Sequence, residues 1–233
     1  MDEVRQGHAR IEGDDAHHLV RVLRVEAGHK YEISDTHRVW LAQISSARKN
    51  LVEFEILEEL PAGPPLPETI LLLALVKFDR FEWAVEKATE LGITTLVPFD
   101  AARSDQGLFD GARKRVERWR RIAKEASEQS RRLQPPDILD PVRFDAALKH
   151  PATFRLLLDE RPGAPPMLKA LHGATPQDSV ALAIGPEGGW TDAERTRLEA
   201  AGWQGASLGS TVLRAETAVC AALAVASAVR LLI

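Results

Sequence analysis

Cysteine is nearly missing from the sequence: Cys220 is the only one among 233 residues. A single thiol excludes an intrachain disulfide framework and a cysteine-rich metal site. Long apolar runs are also missing, because the most apolar segment, residues 218–229, is too short to span a bilayer and is followed by Arg230. No secretory signal opens the chain. We therefore expect a soluble cytoplasmic protein that binds neither a membrane nor a metal.

Positive charge is not in excess either. The sequence has 30 Lys and Arg residues and 34 Asp and Glu residues, which gives a formal net charge of −4. This balance argues against a surface that is basic all over. No GxGxxG follows a predicted strand and no GxxxxGK[ST] occurs, which weakens the case for a dinucleotide-dependent oxidoreductase. That class and a non-catalytic RNA-binding protein stay open as alternatives.

Four prolines fall within residues 60–69, and proline neither continues a helix nor pairs in a central strand. They predict a linker between two domains, which we place at residues 1–62 and 68–233. The first is predicted to be a small β-barrel. Its pattern indicates a helix over residues 16–25, with apolar contacts at Leu19, Val22 and Leu23, and then strands over residues 31–34, 39–44 and 51–56.

From residue 70 apolar strands alternate with helices. This pattern predicts an α/β fold with a largely parallel sheet covered on both faces. The predicted strands are residues 70–76, 95–98, 154–158, 181–184 and 206–208. The predicted helices are residues 81–91, 111–132, 192–201 and 215–232.

Two glycine loops follow neighbouring strands of this domain. The first is GPEGG at residues 185–189, after which Thr191 and Glu194 predict a capping box and Gly202 predicts the helix end. The second is SLG at residues 207–209, shortly before the last helix. Glycines at strand exits let a ligand approach the backbone, and open α/β sheets bind ligands at that edge. Either loop alone is explained by an ordinary turn; together they predict a ligand site.

The phrase GPEGG, followed by SLGSTVLRAETA, resembles the SPOUT class of S-adenosylmethionine-dependent RNA methyltransferases. Within that class the chain is most similar to the small-subunit ribosomal RNA (uracil-N3)-methyltransferases. Further phrases are similar to the same family: GDDAHHLVRVLR, which resembles the signature of its PUA-like RNA-binding domain, KFDRFEWAVEKATELGI and AKEASEQSRR.

The resemblance implies a SPOUT-type parallel sheet with a C-terminal trefoil knot, a PUA-like N-terminal domain and S-adenosyl-L-methionine as cofactor. It also implies methylation of uridine N3 in small-subunit (16S) ribosomal RNA, within the assembled subunit. Another RNA nucleotide is the alternative substrate. The residues that the resemblance assigns to the cofactor are Leu158, Gly185, Pro186, Glu187, Gly188, Gly189, Leu208, Gly209, Leu213 and Thr217.

Methyl transfer to uridine N3 requires loss of the N3 proton, so an enzyme must stabilise an imide anion and align N3 with the methyl donor. Arg214 is the candidate for stabilising that anion. Glu187 or Glu216 is the candidate for orienting the base or accepting a proton. An ion pair between Arg214 and Glu216 at the start of a helix is the structural alternative.

The densest charged tract is residues 113–132, which holds nine basic residues and three acidic ones. Such a surplus favours phosphate contacts, although a solvated helix face is the alternative. A second basic group lies on the predicted N-terminal helix, where packing is an equal alternative. The resulting RNA-binding candidates are His18, Arg21, Arg24, Lys77, Arg80, Arg118, Arg121 and Arg131.

The last helix has almost no polar stripe, although a helix on the outside of a single subunit normally has one. Its small residues allow close backbone approach and include Ala221, Ala222, Ala224 and Ala226. Complete burial inside its own domain is one explanation. The family resemblance favours the other, which is a homodimer that buries this helix at a large apolar interface.

Overall fold

The computed structural model describes residues 3–5, 7–35, 37–61, 63, 65–161 and 163–231. The chain divides into two compact units, Met1–Pro65 and Leu66–Ile233. No helix in the described part of the chain combines the length and the hydropathy that a membrane crossing requires.

The first unit is an antiparallel sheet with one helix. Trp40, Ala42 and Ile44 alternate with less buried residues along one strand and form a core with Val52 and Phe54 of the next. The strand order is β1-β2-β5-β4-β3. The elements are β1 (Glu3–Arg5), β2 (His8–Glu12), α1 (Gly13–Arg21), β3 (Lys30–Ser34), β4 (Val39–Arg48) and β5 (Leu51–Leu60).

The N-terminal helix predicted over residues 16–25 is wrong in both of its bounds. Helix α1 begins three residues earlier than predicted and ends at Arg21. Val22 and Leu23 were expected to face the core, but they are 62% and 54% exposed. The reason is a left-handed residue, Arg24 (φ 51°), after which the amide of Val25 donates to the carbonyl of Leu19 and the Val25 side chain is buried. The left-handed residue thus turns the chain back over the end of the helix.

The second unit contains a seven-stranded sheet in which every recorded pair is parallel. The strand order is β12-β10-β11-β6-β7-β8, with β9 also paired to β7. The strands are β6 (Thr69–Ala74), β7 (Thr95–Asp100), β8 (Asp137–Ile138), β9 (Val142–Arg143), β10 (Phe154–Leu158), β11 (Val180–Ile184) and β12 (Gln204–Ala206). The predicted α/β class and parallel sheet are confirmed, whereas the trefoil knot stays a prediction.

Helices cover both faces of this sheet. Because side chains alternate along a strand, Leu71 and Leu73 of β6 face one core while Ile70 and Leu72 face the other. All six residues of β6 are buried, as the continuous apolar run predicted. The helices are α2 (Phe78–Glu90), α3 (Leu108–Arg113), α4 (Val116–Gln129), α5 (Phe144–Ala147), α6 (Met167–Ala170), α7 (Asp192–Ala200) and α8 (Ala215–Leu231).

The single basic helix predicted over residues 111–132 is wrong, because the structure has two helices there. The amides of Lys114 and Arg115 donate to carbonyls three residues back, and this tighter turn ends α3 before α4 begins. Arg131 and Arg132 lie beyond α4, and Arg131 has a left-handed backbone (φ 58°). The basic residues of the tract therefore do not share one helix face.

Helix α8 packs one face against its own unit. Ala222 and Ala226 have no exposed surface, whereas Ala224 and Ala228 are exposed. The buried Arg230 fixes the C-terminal end of the helix, since its guanidinium donates to the carbonyl of Glu68 at 3.2 Å, to the Thr69 hydroxyl at 2.7 Å and to the carbonyl of Ala226 at 3.0 Å.

Candidate functional site

A cleft of about 230 Å³ lies where the carboxyl ends of β10, β11 and β12 meet. Both predicted glycine loops border this cleft. The carboxyl ends of the strands are where open parallel sheets usually bind their ligands. Residues 207 and 208 belong to the loop rather than to the predicted strand, because β12 ends at Ala206. The lining residues are Leu158, Asp159, Glu160, Ile184, Gly185, Pro186, Glu187, Gly188, Gly189, Trp190, Ser207, Leu208, Gly209, Thr211, Val212, Leu213, Ala215 and Ala218.

Nine of the ten residues predicted for the cofactor line this cleft, and Thr217 does not. Thr217 is exposed on the first turn of α8. The cleft brings together apolar side chains, three carboxylates and the backbone of two loops. Among the described residues no cluster of His, Cys, Asp or Glu is arranged to hold a metal ion.

The first glycine loop is held by the helix that follows it. The predicted capping box is present: the Thr191 hydroxyl accepts from the amide of Glu194 at 3.2 Å, and the Glu194 carboxylate accepts from the amide of Thr191 at 2.8 Å. The same carboxylate also accepts from the amide of Ala102 at 2.8 Å. Glu194 thus joins the loop after β7 to the start of α7.

Trp190 closes the floor of the loop. Its indole N–H donates to the carbonyl of Leu158 at 2.9 Å, and the ring stacks on Phe99. A Cβ on Gly185 would lie 2.9 Å from the indole ring, so the loop can pass over Trp190 only with glycine there.

A buried ion pair that the sequence did not predict lies beside the cleft. Arg195 of α7 donates to both carboxylate oxygens of Asp159, at 2.7 and 2.9 Å, and to the carbonyl of Trp190 at 2.5 Å. Both side chains of the pair are only 8% exposed. Burial by itself would raise the pKa of Asp159, but the hydrogen bonds from Arg195 outweigh it and hold the pKa below its ordinary value. The pair is 36 residues apart in sequence, so no local pattern indicates it.

Arg103 was missed as well. It follows β7 at the same edge of the sheet, and its guanidinium donates to the carbonyl of Gly188 at 2.7 Å. Its side chain lies 3.1 Å from where a Cβ on Gly188 would be. Polar residues directly after a buried strand are the signal that would have indicated Asp159 and Glu160 after β10, whereas Arg103 lies three residues beyond the end of β7 and has no such signal.

The three catalytic candidates have different surroundings. Glu187 lines the cleft and forms an ion pair with Arg80 of α2. Arg214 directly precedes α8 and is exposed, and its guanidinium has no hydrogen-bond partner among the described residues. Glu216 does not line the cleft, and one of its carboxylate oxygens is buried with no hydrogen-bond partner in the described part of the chain. No ion pair joins Arg214 to Glu216 among the described residues.

The RNA candidates of the first unit lie at the end of α1. His18, Arg21 and Arg24 are all exposed, next to the exposed Val22 and Leu23. The segment therefore presents basic side chains around an apolar tip.

The RNA candidates of the second unit are not equally available. Arg118 and Arg115 both donate to Glu82, at 2.8 and 2.9 Å. Burial by itself would raise the pKa of Glu82, but these hydrogen bonds outweigh it and lower that pKa. Arg121 lies 4.0 Å from Glu125. By contrast, Lys77 and Arg131 are exposed with no ion pair recorded in the described residues.

Two family models match the sequence. The model of an RNA methyltransferase domain matches residues 64–227, and the model of an RNA methyltransferase PUA domain matches residues 11–57. Relatives include the ribosomal RNA small subunit methyltransferase E of Bacillus subtilis, which is 34% identical over 93% of this chain and 88% of its own length. The protein of that name from Synechocystis is 36% identical over 89% of this chain and 69% of its own length.

Solved structures agree with these matches. The ribosomal RNA small subunit methyltransferase E of Neisseria gonorrhoeae, bound to S-adenosyl methionine, has a TM-score of 0.82 at 28% identity over 98% of this chain and 95% of its own. A methyltransferase of Legionella pneumophila in complex with the same cofactor also has a TM-score of 0.82, at 29% identity over 97% of this chain and 94% of its own. With its PUA-like first unit and its parallel sheet, the chain belongs to the ribosomal RNA small subunit methyltransferase E family of SPOUT-class RNA methyltransferases.

Proposed function

We propose that this protein uses S-adenosylmethionine to methylate N3 of one uridine in small-subunit (16S) ribosomal RNA, and that it works in the cytoplasm on the assembled subunit. The observation that carries the proposal is the cleft between the two glycine loops, at the ligand-binding edge of the parallel sheet. We assign RNA binding to residues 1–62 and the reaction to residues 68–233.

The lining of the cleft suits the cofactor. Leu158, Ile184, Leu208 and Leu213 give an apolar surface for adenine, and backbone groups of both loops are available as hydrogen-bond partners. The glycine loop lies flat on Trp190 and is held by Arg103. When bound, the cofactor supplies an activated methyl group on a positive sulfonium.

Arg214 is the residue that we assign to the uracil. Its free guanidinium precedes α8, whose first residue, Ala215, lines the cleft. A guanidinium donating to a uracil oxygen stabilises the anion that forms when N3 loses its proton. Because this charge exists only after deprotonation, the interaction lowers the barrier rather than merely tightening binding.

Glu187 and Glu216 receive separate assignments. Arg80 forms an ion pair with Glu187 at the cleft, and this position supports our assignment of the Glu187 carboxylate to orienting the base. Glu216 has a buried carboxylate oxygen with no partner in the described residues, and leaving such a group unpaired costs about 1–3 kcal/mol. We assign it a hydrogen bond to the RNA or to a second subunit.

A homodimer is the assembly that we propose. The exposed face of α8 carries Thr217, Ala224 and Ala228 rather than charged residues, and small side chains permit a close approach of two helices. Trp83 of α2, a helix that contacts α8, is 43% exposed and adds apolar surface to the same unit.

Mass spectrometry of ribosomal RNA tests the reaction. Cells that lack the gene should lose one methylated uridine, and purified protein with S-adenosylmethionine should restore it on their small subunits. Restoration at another nucleotide or another atom would contradict the assignment of N3. A protein that binds small subunits and transfers no methyl group would support the non-catalytic alternative instead.

A further inference from the structure

The charges that line the cleft are all of one sign. Among its described lining residues, the ionisable side chains are Asp159, Glu160 and Glu187, and every one of them is a carboxylate. Carboxylates gathered in a site repel one another and favour a cationic ligand unless cations neutralise them.

Two of the three carboxylates are neutralised. Asp159 is bound through both oxygens by the buried Arg195, and Glu187 is paired with Arg80. These two ion pairs contribute little net charge to the cleft.

Glu160 has no cation of its own. Its nearest cation among the described residues is Arg195, whose guanidinium donates to the Glu160 carboxylate at 3.5 Å and is bound more closely, at 2.7 and 2.9 Å, by Asp159. The Glu160 carboxylate also lies against the glycine loop, since a Cβ on Gly189 would be 2.7 Å from one of its oxygens. Asp159 and Glu160 therefore share one guanidinium, and one net negative charge remains beside the first glycine loop. The Glu160 side chain that carries it is 44% exposed.

We propose that Glu160 makes the cleft prefer the positively charged methyl donor to its neutral product. This inference rests on the proposed cofactor. At neutral pH S-adenosylmethionine carries one net positive charge, on account of its sulfonium, whereas S-adenosylhomocysteine has a neutral thioether in that place. The two molecules are otherwise alike, so shape alone separates them by only one methyl group. Glu160 therefore favours exchange of the product for a new donor after each turnover.

The matched variant is Glu160→Gln, which keeps the side-chain shape and removes the charge. Its binding to three ligands is measured by calorimetry: S-adenosylmethionine, S-adenosylhomocysteine and sinefungin, which has a protonated amine near the position of the sulfonium. Affinity for both cationic ligands should fall by about three- to tenfold, as expected for one charge pair in a half-exposed site. Affinity for the neutral product should stay unchanged.

Glu199→Gln is the matched control, because Glu199 is an exposed carboxylate on α7 that does not line the cleft. It should leave all three affinities unchanged. A second measurement needs no variant: raising the salt concentration should bring the donor and product affinities of the wild-type protein closer together.

Three outcomes decide the matter. An unchanged ratio of donor to product affinity in Glu160→Gln overturns the role of Glu160 and leaves the proposed cofactor intact. An equal loss for all three ligands also overturns it, because such a loss indicates a change of shape. Failure of the wild-type protein to bind any of the three ligands overturns the proposed cofactor together with this inference.

Discussion

The guanidinium of Arg80, on α2, is paired with the carboxylate of Glu187, in the first glycine loop. Sequence reasoning gave these residues different tasks, namely RNA binding for Arg80 and catalysis for Glu187. Because the two side chains form an ion pair, we expect Arg80 to act on the cleft rather than on the RNA backbone. Lys77, one turn earlier and exposed, has no recorded carboxylate partner in the described residues and provides the comparison.

We expect Lys77→Ala to lower the slope of RNA affinity against salt by about one phosphate contact, whereas Arg80→Ala leaves the slope unchanged. Arg80→Ala should instead lower methyl transfer, and Glu187→Ala should add little to that loss because the two residues act as a unit. Binding measured between 50 and 200 mM salt, together with kcat/KM, checks both statements. Equal slopes for the two single variants would contradict the distinction.

Arg131 occupies a left-handed backbone position two residues after the end of α4, where glycine is the least strained residue. Arg131→Gly should therefore stabilise the second unit, by about 1 kcal/mol, and at the same time weaken RNA binding. Urea unfolding and RNA titration measure the two effects. Arg121→Gly, inside α4, is the control and should destabilise by about 1 kcal/mol. A variant at 131 that gains stability and keeps its RNA affinity would show that Arg131 has no RNA contact.

Arg214→Ala should lower kcat by about 10²- to 10³-fold, since it removes a donor to charge that develops in the transition state. The affinity for S-adenosylmethionine should stay the same, because Arg214 does not line the cleft. Arg214→Lys should recover part of the rate. Single-turnover methyl transfer with calorimetry separates these effects, and a loss confined to cofactor affinity would assign Arg214 a different role.

Ala224→Arg combined with Ala228→Arg should yield a monomer that is folded and inactive, because both residues are exposed on α8. Light scattering and thermal unfolding check the state and the fold. The small residues Ala222 and Ala226, which sequence reasoning also placed at an interface, are buried in their own unit, so arginine there should unfold the protein. A double variant at 224 and 228 that stays dimeric would place the interface elsewhere.

Arg195→Met should destabilise the second unit by about 3 kcal/mol at neutral pH, since it leaves the carboxylate of Asp159 buried without its partner. The pKa of Asp159 is lowered in the folded protein, so the stability due to the pair is fully present above the ordinary value of about 3.8 and is lost as pH falls through the folded value. In the variant, burial acts on Asp159 without Arg195 and favours the protonated carboxyl, so the difference in stability between wild type and variant should shrink steadily as pH falls toward the lowered folded value of the wild type. A constant difference in urea unfolding would contradict this origin.

The sequence predicted those parts of the fold whose signals are local. The buried run of β6, the strand Phe154–Leu158 and the capping box of Thr191 and Glu194 are found where their patterns indicated. Failures occurred where the backbone conformation of one residue or one turn decides. The end of α1 depends on the left-handed Arg24, and the division between α3 and α4 depends on a local change of hydrogen bonding that charge patterns do not show.

The candidate site divides in the same way. The glycine loops are evident from the sequence because they combine backbone freedom with position after a strand. Arg103 and Arg195 were not evident, since each owes its place to a partner 36 or more residues away. Their pairing is set by the order of strands in the sheet, which composition and periodicity do not determine.

The buried Arg230 gives α8 the character of a strut. One end of the helix borders the cleft at Ala215. At the other end, Arg230 donates hydrogen bonds to the carbonyl of Glu68 and to the hydroxyl of Thr69, where β6 begins. At 1.5 Å per residue the two ends are about 22 Å apart, so the helix runs from the edge where β6 begins to the edge where the strands end at the cleft. A chain that ends before Arg230 would lose the hydrogen bonds at the C-terminal end of α8, and we expect the effect to be measured as weaker ligand binding at its N-terminal end.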